Sequence, residues 1–150
     1  MRMILNALAG MMMLVSMTVV GVAAEPKEHK VSIQVDQNDA AVMNLVLNNA
    51  TNIMEQYKSK GETVQIEIVA YGPGLHMLRA DTSPVQDRIK QIVDASFPSN
   101  LKLSACGNTK EGMEKREGKA ISIISQAEIV PSGAVRLIEL QEQGWSYLRP

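Results

Sequence analysis

The stretch Val64-Gln-Ile-Glu-Ile-Val-Ala-Tyr-Gly-Pro-Gly74 decides the fold. It opens as an alternation of apolar and polar residues, finishes as an apolar run and breaks at Gly72-Pro73-Gly74, which reads as a strand entering a tight loop. Upstream, Met43, Val46, Leu47, Ala50, Ile53, Met54 and Tyr57 recur at helical spacing behind an Asn38-Asp39 N-cap and stop at Gly61. Before that helix, Val31-Ser-Ile-Gln-Val35 alternates as a first strand. Strand, long amphipathic helix and strand make a βαβ unit, whose crossover is right-handed and whose strands are parallel.

The same alternation continues downstream. Leu75 to Arg79 fits a helical turn, and Ser83-Pro84 offers a cap and an N1 proline for a helix from Val85 to about Ala95, closed by Phe97-Pro98-Ser99-Asn100. Leu101 to Ala105 is a short third strand that delivers Cys106-Gly107-Asn108-Thr109, and Lys110 to Glu117 is a charged, mostly exposed helix stopped by Gly118. Ala120 to Ser125 fits either a strand or a helical turn, whereas Ala127 to Val130 reads as a strand before Pro131-Ser132-Gly133. Val135, Leu137, Ile138 and Leu140 lie on a helix ended by Gly144, and Trp145 to Leu148 makes a last strand. The expectation is one α/β domain over residues 31–150, with a mostly parallel sheet of about five strands and helices on both faces.

The first residues have a different character. Met1-Arg2 leads into an apolar run from Met3 to Val20, and Val22-Ala23-Ala24 places small or slender residues before the polar Glu25-Pro26-Lys27-Glu28-His29-Lys30. This is the pattern of a secretory signal peptide over residues 1–24, cleaved after Ala24, with residues 25–30 as a flexible tail. The rival is an uncleaved anchor, since the run approaches the roughly 20 residues that span a bilayer. A cleaved chain has no membrane segment left, and its expected place is the bacterial periplasm. Six of the ten methionines (Met1, Met3, Met11, Met12, Met13 and Met17) leave with the signal, so methionine content does not argue for soft-metal binding.

With 15 basic and 16 acidic residues, one tryptophan, one phenylalanine and three tyrosines, the chain offers neither a phosphate-binding face nor stacking platforms, which argues against nucleic acid. The single cysteine, Cys106, cannot form an intramolecular disulfide, so in an oxidising compartment the fold rests on packing alone. His29 and His76 have no third ligand at metal-binding spacing, and no cofactor or metal is expected.

In a parallel sheet the loops after the strands' carboxyl ends gather along one edge, where ligands bind. Three loops map there: Tyr71, Gly72 and Gly74, followed by His76; Cys106 with Gly107, Asn108 and Thr109; and Ser132 with Gly133. A cysteine at a strand end facing a helix N-terminus gains a stabilised thiolate and becomes the candidate catalytic residue. The other nine residues are candidates for binding its substrate, with His76 a proton carrier or a nearby cation. The plain alternatives are a buried apolar cysteine, a surface histidine, a simple glycine turn and a Ser132 that only caps its helix. Asn44, Asn48 and Asn49 on the first helix read as part of the same edge, as a subunit contact or, more simply, as solvated positions.

Tyr71-Gly-Pro-Gly-Leu75, Ala105-Cys-Gly-Asn-Thr109 and the segment from Val130-Pro-Ser-Gly133 through Gln143-Gly-Trp-Ser-Tyr-Leu-Arg-Pro150 resemble the DsrE/DsrF-like family over essentially the whole mature chain. The resemblance implies a flavodoxin-like sheet and a homo-oligomer, a trimer or hexamer. As in sulfur-relay relatives such as DsrE and TusD, it also implies a cysteine persulfide, here on Cys106, passed between a donor and an acceptor protein or small sulfur compound. Two features depart from it. Those relays are cytoplasmic while this chain carries an export signal, and Lys110 stands where an apolar helix residue is expected. The alternatives to sulfur transfer are an oligomeric binding module with a structural cysteine, and a thiol redox sensor. Trp145-Ser-Tyr-Leu148 offers either a subunit contact or a lid on its own core.

Overall fold

The computed structural model describes residues 27–97 and 100–150. Its elements run β1 (Glu28–Val35), α1 (Ala40–Ser59), β2 (Thr63–Ala70), a 3-10 helix (Gly72–Leu78), α2 (Gln86–Ala95), β3 (Asn100–Cys106), α3 (Gly107–Glu117), β4 (Ala127–Val130), α4 (Gly133–Glu142) and β5 (Ser146–Leu148). All strand pairings are parallel, in the order β4-β3-β2-β1-β5. This is the expected flavodoxin-like layering, a five-stranded parallel sheet with helices on both faces.

The strand order dictates where the helices lie. From β1 to β4 the chain steps steadily one way across the sheet, and then it returns past β1 to lay down β5. Right-handed crossovers put steps of opposite direction on opposite faces. So α1, α2 and α3 share one face, and among the described residues α4 is the helix that covers the other. Ile33, Ile66, Ile68 and Leu103 of the sheet pack with Met43 and Leu47 of α1, Ile89 of α2 and Met113 of α3 in one large core. Across the sheet, Val69 meets Leu137 and Leu140 of α4, with Tyr71 and Trp145 alongside. Because side chains alternate along a strand, Ser32, Gln34, Glu67 and Ser104 also point to the α4 face, and all four are buried.

Local chemistry explains most boundaries. Asp39 caps α1, its carboxylate accepting from the N–H groups of Ala41 and Val42. Gly118 ends α3 at φ 65°, a left-handed conformation that glycine adopts without a side-chain clash. Asn44 and Asn48 accept from the Arg88 guanidinium and so join α1 to α2.

Several expectations need correction. β1 starts at Glu28, so Glu28 to Lys30 belong to the sheet and form no flexible tail: Glu28 pairs in register with Thr63, and the His29 ring stacks 3.7 Å from Tyr57 with its Nε2 2.9 Å from Glu62. α2 starts beyond Pro84, because the Ser83 hydroxyl donates to the Met77 carbonyl while accepting from the Val85 N–H. α3 starts at Gly107 directly after the cysteine. Trp145 is no correction: of its two expected readings, the one seen is packing on the small core of its own chain. Residues 120–125 resolve as a single antiparallel bridge, Arg79 to Ile123. The signal peptide expected over residues 1–24, and Pro98 and Ser99 of the loop after α2, lie outside the described residues. Among the described residues no helix is long and apolar enough to cross a membrane.

That bridge holds a buried cation in place. Arg79, 1% exposed, donates from Nε and Nη2 to Asp81 and from Nη1 and Nη2 to Glu117 at the end of α3, at 2.6–2.9 Å. Its guanidinium, with help from Lys119, holds the Asp81 carboxyl well below the usual range, and it lowers Glu117 as well. Unfolded carboxyls titrate near pH 4, so as the pH falls the unfolded chain takes up protons first. The stabilisation from these pairs is present above about pH 4 and is lost as the pH drops through the lower folded-state values. Urea midpoints followed from neutral pH into acid will therefore fall steeply for the native protein and less steeply for Arg79→Met.

Gly74 supplies a second check. A Cβ there would stand 2.2 Å from the Val35 carbonyl oxygen, so the 3-10 helix lies directly on the end of β1. Gly74→Ala is expected to cost about 1–3 kcal/mol in denaturant unfolding, as overpacking does.

Candidate functional site

The loop after β3 leaves toward α3 on one face, while the loop after β4 leaves toward α4 on the other. Between neighbouring strands whose loops part in this way a crevice opens at the carboxyl edge, the usual ligand position in open α/β sheets. Cys106, the last residue of β3, stands at that point, in register with Val130 at the end of β4.

Two helices begin there. Cys106 is itself the N-cap residue of α3, its Sγ accepting from the Thr109 N–H at 3.4 Å. Ser132 caps α4 through the Val135 N–H, which places Gly133 at the first position of that helix. A Cβ on Gly133 would stand 3.3 Å from the Cys106 Cβ and 2.8 Å from the Tyr71 Cβ, so glycine is what lets α4 approach the cysteine so closely. A Cβ on Gly107 would lie 3.2 Å from the Val130 carbonyl oxygen, again a close passage of backbones. The positive ends of two helix dipoles thus reach one sulfur atom from opposite faces of the sheet.

The third loop is tied in through Thr109. Its hydroxyl accepts from the Gly72 N–H at 2.9 Å, which leaves the hydroxyl proton free for the Cys106 sulfur. The Asn108 N–H donates to the Pro131 carbonyl at 3.1 Å and links the parted loops. Burial, at 5% exposure, pushes the Cys106 thiol up. The Thr109 hydroxyl and the N–H groups of Gly133, Thr109 and Asn108 outweigh it, and the thiol ends below its ordinary value. Burial, with the Asp36 carboxylate and Tyr147 adding to it, raises Tyr71, which stays a neutral phenol at neutral pH.

The residues expected at the site therefore fall into groups. Tyr71, Gly72, Gly107, Asn108, Thr109 and Gly133 surround Cys106. Ser132 is used as a cap, and Gly74 is used in packing on β1. His76 lies apart from this hydrogen-bond set, its Nδ1 2.8 Å from Thr82 Oγ1. Lys110, whose polarity stood out, forms an i,i+4 ion pair with Glu114 at 2.6 Å. Sequence reasoning missed Glu67 and Arg136, which are joined by two hydrogen bonds beneath α4. The available signal was a carboxylate inside the apolar strand Val64 to Tyr71. It also missed the group at the end of β1, where Gln34 donates to Asp36 and accepts from the Tyr147 hydroxyl, while Arg149 donates to Asp36.

Comparison with known proteins places this geometry. The structure of MTH1491 from Methanobacterium thermoautotrophicum, described as a protein of unknown function, superposes with a TM-score of 0.66 at 27% identity, covering 81% of this chain and 99% of that one. No curated protein matches the chain. The model of the DsrE/DsrF-like family matches residues 29–150, and the chain belongs to that family.

Proposed function

We propose that this protein is an exported sulfur carrier in which Cys106 takes up a sulfane sulfur as a persulfide and passes it on. The observation that supports this most directly is the convergence of two helix N-termini and the Thr109 hydroxyl on one sulfur. The family context of sulfur relay points the same way. In the loading step the Cys106 thiolate attacks the outer sulfur of a donor persulfide, R–S–SH. A new S–S bond forms, the donor's S–S bond breaks, and the thiolate RS⁻ leaves with the electron pair while the proton stays on the transferred sulfur. No external oxidant is needed, because the sulfur arrives already at the sulfane level. Unloading reverses the roles: an acceptor thiolate attacks the terminal sulfur and Cys106 departs. A lowered thiol pKa serves both steps, as it raises the thiolate fraction and improves the leaving group. In this reading the N–H groups of Thr109 and Gly133 stabilise the negative persulfide as well as the thiolate.

Export rests on the signal pattern of residues 1–24, and the periplasm is the proposed compartment. A homo-oligomer, trimer or hexamer, is also part of this reading. Val135 and Ile138 on α4 and Ile129 on the edge strand β4 are large apolar residues left at least half exposed, and among the described residues β4 pairs on one side only.

Three measurements test the proposal. Incubation of the mature protein with thiosulfate, polysulfide or a small persulfide will add sulfur to Cys106, seen as a mass gain by intact-protein mass spectrometry that Cys106→Ser abolishes; an unchanged mass with all three donors rejects the carrier role. Replacing the hydroxyl in Thr109→Val leaves burial less opposed, so the pH midpoint for iodoacetamide alkylation of Cys106 will rise. Light scattering of the cleaved protein at micromolar concentration will give at least three subunit masses, and a single subunit mass removes the oligomer.

A further inference from the structure

Glu67 lies in the middle of the central strand β2, between Ile66 and Ile68, and is 1% exposed. A lone carboxylate at that depth is strongly disfavoured. Its partners come from the two elements that carry the site. The Ser104 hydroxyl, on β3 two residues before Cys106, donates to Oε1 at 2.6 Å. Arg136, on α4 three residues after Gly133, donates from Nε to Oε1 at 2.8 Å and from Nη2 to Oε2 at 2.7 Å.

A two-point guanidinium–carboxylate fork fixes both distance and direction, whereas apolar contact is non-directional. The apolar seat of α4 is small, with Leu137 and Leu140 on Val69 and Trp145 beside them, and apolar contact of this kind sets no direction along the strands. Gly133 precedes Arg136 in the first turn of α4, where the Arg136 N–H donates to the Ser132 carbonyl at 2.9 Å. Any slide of Arg136 along the sheet would carry Gly133 with it.

We propose that the Glu67–Arg136 pair, completed by Ser104, sets the position of α4 along the sheet and thereby holds the N-terminus of α4 against Cys106. Glu67 and Arg136 are positioning residues, and the inference rests on the reading of Cys106 as a working thiolate. The charged and titratable groups on the elements around the cysteine are Glu67 on β2 with Tyr71 after it, Lys102 on β3, Glu128 on β4, Lys110, Glu111, Glu114, Lys115, Arg116 and Glu117 on α3, and Arg136, Glu139 and Glu142 on α4. Lys102, Lys110 and Arg136 are each bound to a carboxylate, Glu128, Glu114 and Glu67 respectively. A change at Arg136 that keeps its charge therefore acts on the sulfur through placement.

The experiment is the pH dependence of iodoacetamide alkylation of Cys106 in the wild-type protein, Arg136→Lys and Glu67→Asp, with folding of each checked by far-ultraviolet circular dichroism. Both variants keep every charge: the ammonium of Arg136→Lys cannot form the two-point fork, and Glu67→Asp draws the carboxylate back toward β2 by one methylene, so that Arg136 has to follow it or lose the contact. The expected result is a midpoint raised by about one pH unit, as for the loss of one hydrogen bond to a charged group, and an alkylation rate at low pH about tenfold slower. Folded variants that keep the wild-type midpoint overturn the proposal. Should Arg136→Lys fail to fold, Glu67→Asp decides by the same criterion. A wild-type midpoint equal to that of the urea-denatured chain overturns the thiolate reading itself, so the two failures are told apart.

Discussion

A parallel sheet with right-handed crossovers admits one place where neighbouring loops part, and the rest of this molecule follows from where that place falls. Three crossovers run over one face and one over the other, so the parting lies between β3 and β4. A residue there meets the start of a helix above the sheet and the start of another below it. Cys106 holds that position, and there burial pushes its thiol up while backbone dipoles and one hydroxyl bring it below its ordinary value. Such dipoles keep their orientation when the side chains around them are exchanged, provided that the helices stay where they are.

The same topology makes the two faces unequal. Among the described residues three helices bury a continuous apolar surface on one side, while a single helix serves the other. The uncovered part of that second face is polar, and beneath α4 the small apolar seat is supplemented by a buried ion pair. Burying Glu67 and Arg136 carries a desolvation cost that an apolar pair of equal volume would avoid. What the ion pair adds is direction, and direction is what a helix needs when its first residue has to abut one particular side chain.

Much of this was legible in the chain. The alternation of Val31 to Val35, the helical spacing from Met43 to Tyr57 and the apolar end of Val64 to Tyr71 are local patterns, and each became the expected element. The three loops that meet at Cys106 were legible for the same reason, since strand ends in a parallel sheet gather on one edge. What escaped notice depends on contacts between distant residues. Glu28 to Lys30 join β1 because Thr63 to Gln65 lie alongside, and residues 120–125 take their shape from Leu78 to Ala80. His76 was placed near the cysteine by its position in sequence, but its hydrogen bond goes to Thr82. Glu67 pairs with a residue sixty-nine positions away, a separation no window of sequence can span.

The strand order also bears on time. β5, the last strand of the chain, pairs with β1, the first, and α4 comes just before it. Contacts of such wide separation form late, after shorter loops have closed. Until then Cys106 has the α3 side of its surroundings and lacks the α4 side. A chain still being synthesised therefore holds a more nearly ordinary thiol, and the sulfur gains its full character only when the final turn of the fold is in place.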